Sequence, residues 1–146
     1  MAKRAFIDAN VWFAAAYSPK GGSGELLERA AREEIFACAN QHVLDEALRN
    51  LLLKAEDCVE SYLSLLSKVG PTMVTVSIPI NLQDKLESLV PDKDIPVLAG
   101  SILGNVAYLV TLDRKDLMNE TVRTHAWLFD ILTPGELVVL LRQELA

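Results

Sequence analysis

A single-domain α/β fold, with a mainly parallel central sheet flanked by helices, is what this sequence predicts, and three features predict it. Short apolar, β-branched runs alternate with longer segments of helical periodicity. Two of those runs end in an acid, Asp8 and Asp113. No internal repeat or low-complexity linker divides the 146 residues, the length of one ordinary domain.

Residues 4–7, RAFI, read as a short buried strand that stops at Asp8 and gives way to a loop. The stretch from Ser18 to Gly24 is the most turn-rich in the chain, with Ser23 as a cap for a helix starting at Glu25 and burying Leu26, Leu27 and Ala30. Ile35 to Cys38 is short enough for a strand, and Ala39-Asn40 forms a turn after it. From Gln41 to about Ala55, Leu44, Ala47, Leu48, Leu51 and Leu52 recur at helical steps. A further helix spans about Asp57 to Val69, buries Val59, Tyr62, Leu63, Leu65 and Leu66, and ends at Gly70-Pro71. Residues 73–76 read as a strand and 82–89 as a polar helix broken by Pro91-Asp92-Lys93. Asp94 stands as the cap of a helix with Pro96 in its first turn, which Gly104-Asn105 ends. Val106 to Leu112 is a continuous apolar run typical of a strand buried on both faces, and it leads to Asp113. A short strand at 129–132 and a closing helix carrying Leu137, Val138, Leu140 and Leu141 complete the pattern.

Hydrophobic residues at 51% and charged residues at 23% make this a globular composition, neither disordered nor fibrous. Two cysteines, Cys38 and Cys58, are too few for a secreted disulfide framework, so a reducing cytoplasm is expected. The opening MAKR resembles the start of an export signal, but Asp8 and Asn10 interrupt the apolar segment behind it. No stretch has the roughly 20 apolar residues of a membrane span, and no membrane partner is expected. Fourteen Lys and Arg against twenty Asp and Glu, net −6, argue against a bulk electrostatic grip on nucleic acid. Divalent cations bound by clustered acids would cancel part of that charge locally.

In an open parallel sheet, sites gather beyond the carboxyl ends of the strands. Asp8 and Asp113 end strands there, and the crossover helices start at the same edge, bringing Asp94 and either Asp45 or Glu46. Like charges in one cleft raise one another's pKa unless a cation intervenes. An all-oxygen set, with His42 and His125 forming no metal-binding pair, suits Mg²⁺ or Mn²⁺ better than zinc. Such ions activate water for phosphodiester hydrolysis, which makes a hydrolytic nuclease the economical reading.

With those residues in view, FIDANVW at 6–12, the glutamate in VLDEALRNLL at 43–52, DKDIPVLAGSI at 92–102, AYLVTLDRKDL at 107–117 and TPGELV at 133–138 together resemble the PIN domain family of metal-dependent ribonucleases, and particularly its prokaryotic toxin-type members. The resemblance covers nearly the whole chain and implies one three-layer PIN-like domain over residues 1–146. It implies that Asp8, Glu46, Asp94 and Asp113 bind Mg²⁺ or Mn²⁺, and that a metal-activated water hydrolyses RNA. Asn10 would support the site by hydrogen bonds and Thr111 would orient a ligand or water; Asp116 and Asp92 are supporting or alternative ligands. The partners implied are an RNA substrate, a cognate antitoxin protein and a second copy in a homodimer. Lys20, Arg49, Lys93, Arg114 and Lys115 are the candidate RNA contacts.

Simpler readings compete at several positions. Asp94 before a helix is an ordinary N-cap, whereas Asp8 has little structural excuse in its apolar run. Periodicity places Glu46 on the solvated face, away from the leucine stripe. Asn10 reads equally as a turn former and Thr111 as an ordinary strand residue. Cys38, Cys58, Trp12 and Trp127 read as packing. A noncatalytic RNA- or protein-binding module is the main alternative; a phosphoryl-transfer protein with Asp8 as nucleophile is another.

Overall fold

The computed structural model describes residues 2–75 and 77–145. Five strands, β1 (Arg4–Ile7), β2 (Phe36–Ala39), β3 (Thr72–Met73), β4 (Tyr108–Val110) and β5 (Asp130–Leu132), form one sheet in the order β3-β2-β1-β4-β5. Every pairing is parallel, with Phe6 opposite Cys38 on one side and Leu109 on the other. The order turns at β1: later strands are added outward on one side through β2 and β3, and on the other through β4 and β5. The crevice between the carboxyl ends of β1 and β4 is therefore the switch point where such sheets place ligands.

Around the sheet lie α1 (Ala9–Tyr17), α2 (Gly22–Ala31), α3 (Gln41–Lys54), α4 (Val59–Val69), α5 (Ile80–Glu87), α6 (Ile95–Leu103), α7 (Glu120–Arg123) and α8 (Pro134–Leu145). Helix α1 packs against α2, α3 and α4, α8 against α2, and α5 against α6, which lies on β1 and β4. This is the expected three-layer α/β arrangement, with Phe6, Ile7, Trp12, Leu26, Leu51, Leu98 and Leu109 among the side chains fully buried in its core. Gly100 lets α6 approach β1: a Cβ there would stand 2.5 Å from the Phe6 ring and 2.9 Å from the Asn40 amide nitrogen. Among the described residues, no helix is long and apolar enough to cross a membrane.

The largest departure from expectation is α1, which occupies the segment read as a loop. Val11, Trp12, Ala15 and Ala16 are buried and Phe13 and Ala14 half-buried, so the helix lacks the polar face that would reveal its period. Helix α2 starts at Gly22 behind Gly21 rather than behind Ser23, which is itself buried inside the helix. On α3 the fully buried line is Val43, Ala47 and Leu51, with Leu44 and Leu48 only half-buried and Leu52 exposed. The core-facing side is thus turned toward Glu46 and Asn50, both half-buried.

Of the apolar side chains on α4 only Tyr62 is fully buried, its hydroxyl donating to the Leu44 carbonyl at 2.8 Å, while Leu63 faces solvent. Gly70 ends α4 in the left-handed region (φ 57°), where Gly carries no steric penalty. The strand expected at 73–76 is the two-residue β3, and Val76 lies outside the described residues. Strand β4 is shorter than the apolar run around it, and beyond its end the Leu112 N–H goes to the Asn10 side chain instead of a neighbouring strand. Helix α5 begins two residues before its expected start, and α7 had no signal in the sequence pattern. At the entry to α8, Thr133 and Glu136 cap each other: the Glu136 N–H donates to the Thr133 hydroxyl at 3.1 Å and the Thr133 N–H to the Glu136 carboxylate at 2.9 Å.

Candidate functional site

Asp8 follows β1 in extended conformation and caps α1, its Oδ1 accepting from the Ala9 N–H at 2.7 Å. Oδ2 accepts from the Thr111 hydroxyl at 2.7 Å and from the Asn10 amide at 3.3 Å. Asn10 spans the switch point, since its carbonyl accepts from Leu112 N–H at 3.0 Å and its amide also reaches Thr111 Oγ1 at 3.3 Å. The Thr111 hydroxyl in turn accepts the Asp113 N–H at 3.0 Å. Thr111, fully buried at the end of β4, is thus the hinge pin between the two acid-bearing strand ends. Both Asp8 oxygens are engaged and the residue is 4% exposed, an unsuitable setting for a nucleophile that must meet an incoming phosphate.

Asp94 lies at the end of a 3₁₀ turn, Asp92–Asp94, and is the residue before α6, but its side chain makes no capping bond. It is 5% exposed, and its Oδ2 is buried with no hydrogen-bond partner among the described residues. A turn after β4 brings two more acids to it: the Asp116 N–H donates to Asp113 Oδ1 at 2.9 Å, folding the segment back on itself. As a result Asp94, Asp113 and Asp116 each offer a carboxylate oxygen, all within 4.8 Å of one another. Lys93 supplies the cation beside them, with Nζ 3.5 Å from Asp94 Oδ2, 3.6 Å from Asp113 Oδ2 and 3.2 Å from Asp116 Oδ2.

The electrostatics carry the mark of this crowding. Burial pushes the Asp8 carboxyl up to about 6, against the hydrogen bonds from Thr111 and Ala9, and the charges of Glu46 and Asp94 push the same way. Burial also lifts Asp94 to about 6; the Lys93 ammonium opposes it, and Asp113 and Asp116 add to it. Burial works against the Lys93 charge, but the hydrogen bond to Asp116 and the charges of Asp94 and Asp113 hold its pKa above the ordinary lysine range.

Of the acids named from the sequence, the structure gathers Asp94, Asp113 and Asp116 into one tight group and links Asp113 to Asp8 through Thr111. Glu46 is half-buried on α3 and acts on Asp8 through its charge, whereas Asp45 is exposed and held by Gln41 at 2.7 Å. Asp92 is exposed at the start of its turn. Lys20, Arg49, Arg114 and Lys115 are exposed, and Lys93 alone among the five basic candidates pairs with the acids of the site. That pairing was not anticipated; its signal was the basic residue between two acids in Asp92-Lys93-Asp94, on a turn facing the Asp113/Asp116 segment. Trp12 and Trp127 pack as expected, donating to the carbonyls of Ile7 and Val122.

A divalent cation fits this donor set on two grounds. The ligating atoms are all carboxylate oxygens, which hard cations prefer. One of them, Asp94 Oδ2, is buried and among the described residues has only the Lys93 ammonium, at 3.5 Å, to offset its charge beside two further acids, a costly state that a divalent cation relieves more fully.

No protein-family model matches the sequence, and no curated protein does. Among solved structures, the crystal structure of VapBC2 from Rickettsia felis bound to a DNA fragment from their promoter is similar in fold, with a TM-score of 0.65 and 17% identity. The likeness covers 89% of this chain and 98% of that one. The class it supports is the fold: this chain has a PIN-like, three-layer α/β fold.

Proposed function

We propose that the chain is a Mg²⁺- or Mn²⁺-dependent endoribonuclease. The observation that carries this reading is the convergence of Asp94, Asp113 and Asp116 at the switch point of a PIN-like sheet, around a buried Asp94 Oδ2 whose one close cation among the described residues is the Lys93 ammonium at 3.5 Å. These three residues would hold the ion, with Asp8 and Glu46 adding negative charge beside them; one PIN-like domain over residues 1–146 is part of the same proposal. When bound, the ion lowers the pKa of its water and polarises a phosphoryl oxygen. Thr111 and Asn10 hold Asp8 in one rotamer and tie it to the Asp113 backbone, so the acids of both strand ends keep a fixed spacing. Arg114 and Lys115, exposed beside Asp113, offer cations to the RNA backbone.

The test is cleavage of RNA by purified Asp8→Asn and Asp94→Asn proteins with and without Mn²⁺. Both variants should keep the fold and lose metal-stimulated cleavage; full activity in either sinks the mechanism.

The fold likeness to VapBC2 further supports the toxin of a toxin–antitoxin pair; that reading carries with it a cytoplasmic homodimer bound and silenced by a cognate antitoxin. Induced expression should slow growth, and the product of a small neighbouring gene should bind the chain and relieve the effect. A second reading, a noncatalytic RNA- or protein-binding module, is favoured by Lys93, whose ammonium already neutralises part of the acid group. Saturable Mn²⁺ binding without RNA turnover would select it.

A further inference from the structure

We propose that Lys93 is a displaceable counter-ion, holding Asp94, Asp113 and Asp116 together until a divalent cation takes the place of its ammonium. The inference rests on the metal-site reading above and concerns how that site is loaded. The Lys93 Nζ stands 3.2 to 3.6 Å from one oxygen of each acid, so it occupies the point where the three carboxylates converge. A Mg²⁺ ion binds oxygen at about 2.1 Å, and the ammonium and the ion cannot share that centre.

One ammonium cancels only one of the three negative charges, which leaves the cluster a net dianion and a better match for a divalent cation. Geometry permits the exchange. The Lys93 side chain is 58% exposed and sits on a turn, so its four-carbon stem can swing into solvent without opening the core. Asp94, at 8% side-chain exposure, cannot make the corresponding move. The lysine leaves and the carboxylates stay. The consequence is a handicap on metal affinity: binding must displace three ion pairs, so half-filling the site takes more free metal than it would without Lys93.

The test is calorimetric titration of the full chain with Mn²⁺ alone, comparing wild type with Lys93→Met, Lys93→Gln, Lys93→Arg and Lys115→Met. Removing the ammonium should tighten Mn²⁺ binding roughly three- to tenfold, the size expected for ion pairs that are partly open to solvent. Lys93→Arg should stay close to wild type, because it keeps the charge. Lys115→Met removes an equal charge from an exposed neighbour and should change the affinity much less. Unchanged or weaker binding in both neutral Lys93 variants, or an equal gain in Lys115→Met, overturns the counter-ion role while leaving the metal site standing. If no protein in the series binds Mn²⁺ saturably, the metal site itself falls and the counter-ion role falls with it. Circular dichroism melts in chelator supply a second readout: the neutral Lys93 variants should fold but melt lower than wild type, since their acid cluster has lost its cation. An unchanged melt in chelator contradicts the claim that Lys93 holds the cluster together.

Discussion

Asp8 and Asp94 are two buried aspartates at the same edge of one sheet, each pushed up to about 6 chiefly by burial, yet the fold treats them in opposite ways. Asp8 is consumed by structure: it caps α1, and Thr111 and Asn10 donate to its outer oxygen. Asp94 caps nothing, and its Oδ2 is left without a hydrogen bond beside two further acids and a lysine. A carboxylate with both oxygens bonded to protein donors is set to organise a site, whereas one without such bonds is set to receive a ligand. The sequence led to both as metal ligands, with helix capping the competing reading at Asp94; in the structure it is Asp8 that caps a helix.

The sharpest way to break this contrast is to neutralise each acid in turn. Asp94→Asn should lower metal-stimulated RNA cleavage on the order of a hundredfold or more, because charge stabilisation by a bound metal is worth several kcal/mol. It should also weaken Mn²⁺ binding more than Asp8→Asn does, as read by calorimetry; equal losses would show that both acids are ligands of equal standing.

A second expectation concerns pH in the presence of chelator. Native Asp8 keeps its proton to about 6, while the unfolded chain releases it near 3.8. The stability that protonated Asp8 contributes is therefore full below 3.8 and lost as pH rises through 6. Asp8→Asn does not titrate, so its melting temperature relative to wild type should climb between pH 4 and 7, a gain on the order of 2 kcal/mol. A pH-independent difference between the two proteins would refute the burial cost assigned to Asp8.

Thr111→Val keeps the shape of the hinge pin but removes the hydroxyl that donates to Asp8 and accepts from the Asp113 N–H. It should cost about 1–3 kcal/mol in urea unfolding, the penalty for buried partners left unpaired. Asn10→Ala, at a partly exposed position, should cost less, about 1 kcal/mol. If Asn10→Ala proves the more damaging of the two, the strand ends are joined through the amide rather than through the threonine.

Much of the fold was legible because its strands are short apolar runs separated by amphipathic helices, and β1, β4 and β5 fall within those runs. Strand β2 runs one residue past its own, through Ala39, so that Asn40 caps α3 directly in place of the turn expected at Ala39-Asn40. Helix α1 was invisible for a physical reason: a helix buried on almost every side shows no period. The error at Glu46 came from the leucines of α3. Leu44 and Leu48 set the apparent stripe, but Val43, Ala47 and Leu51 face the core, which brings Glu46 to its margin and close enough to act on Asp8. Asp8, Asp94 and Asp113 could be placed from strand ends and a helix start, since topology alone collects such positions at one edge. Asp116 could not be ranked above Asp92, and Lys93 was expected at the RNA rather than at the acids, because Asp116 and Lys93 enter through tight turns whose backbone path no periodicity records.

Anomalous diffraction from crystals soaked in Mn²⁺ tests the central claim most directly. The account predicts a peak in contact with Asp94, Asp113 and Asp116, with Asp8 still bonded to Thr111. An empty cluster, or a peak on other acids with Asp94 Oδ2 left bare, would contradict it.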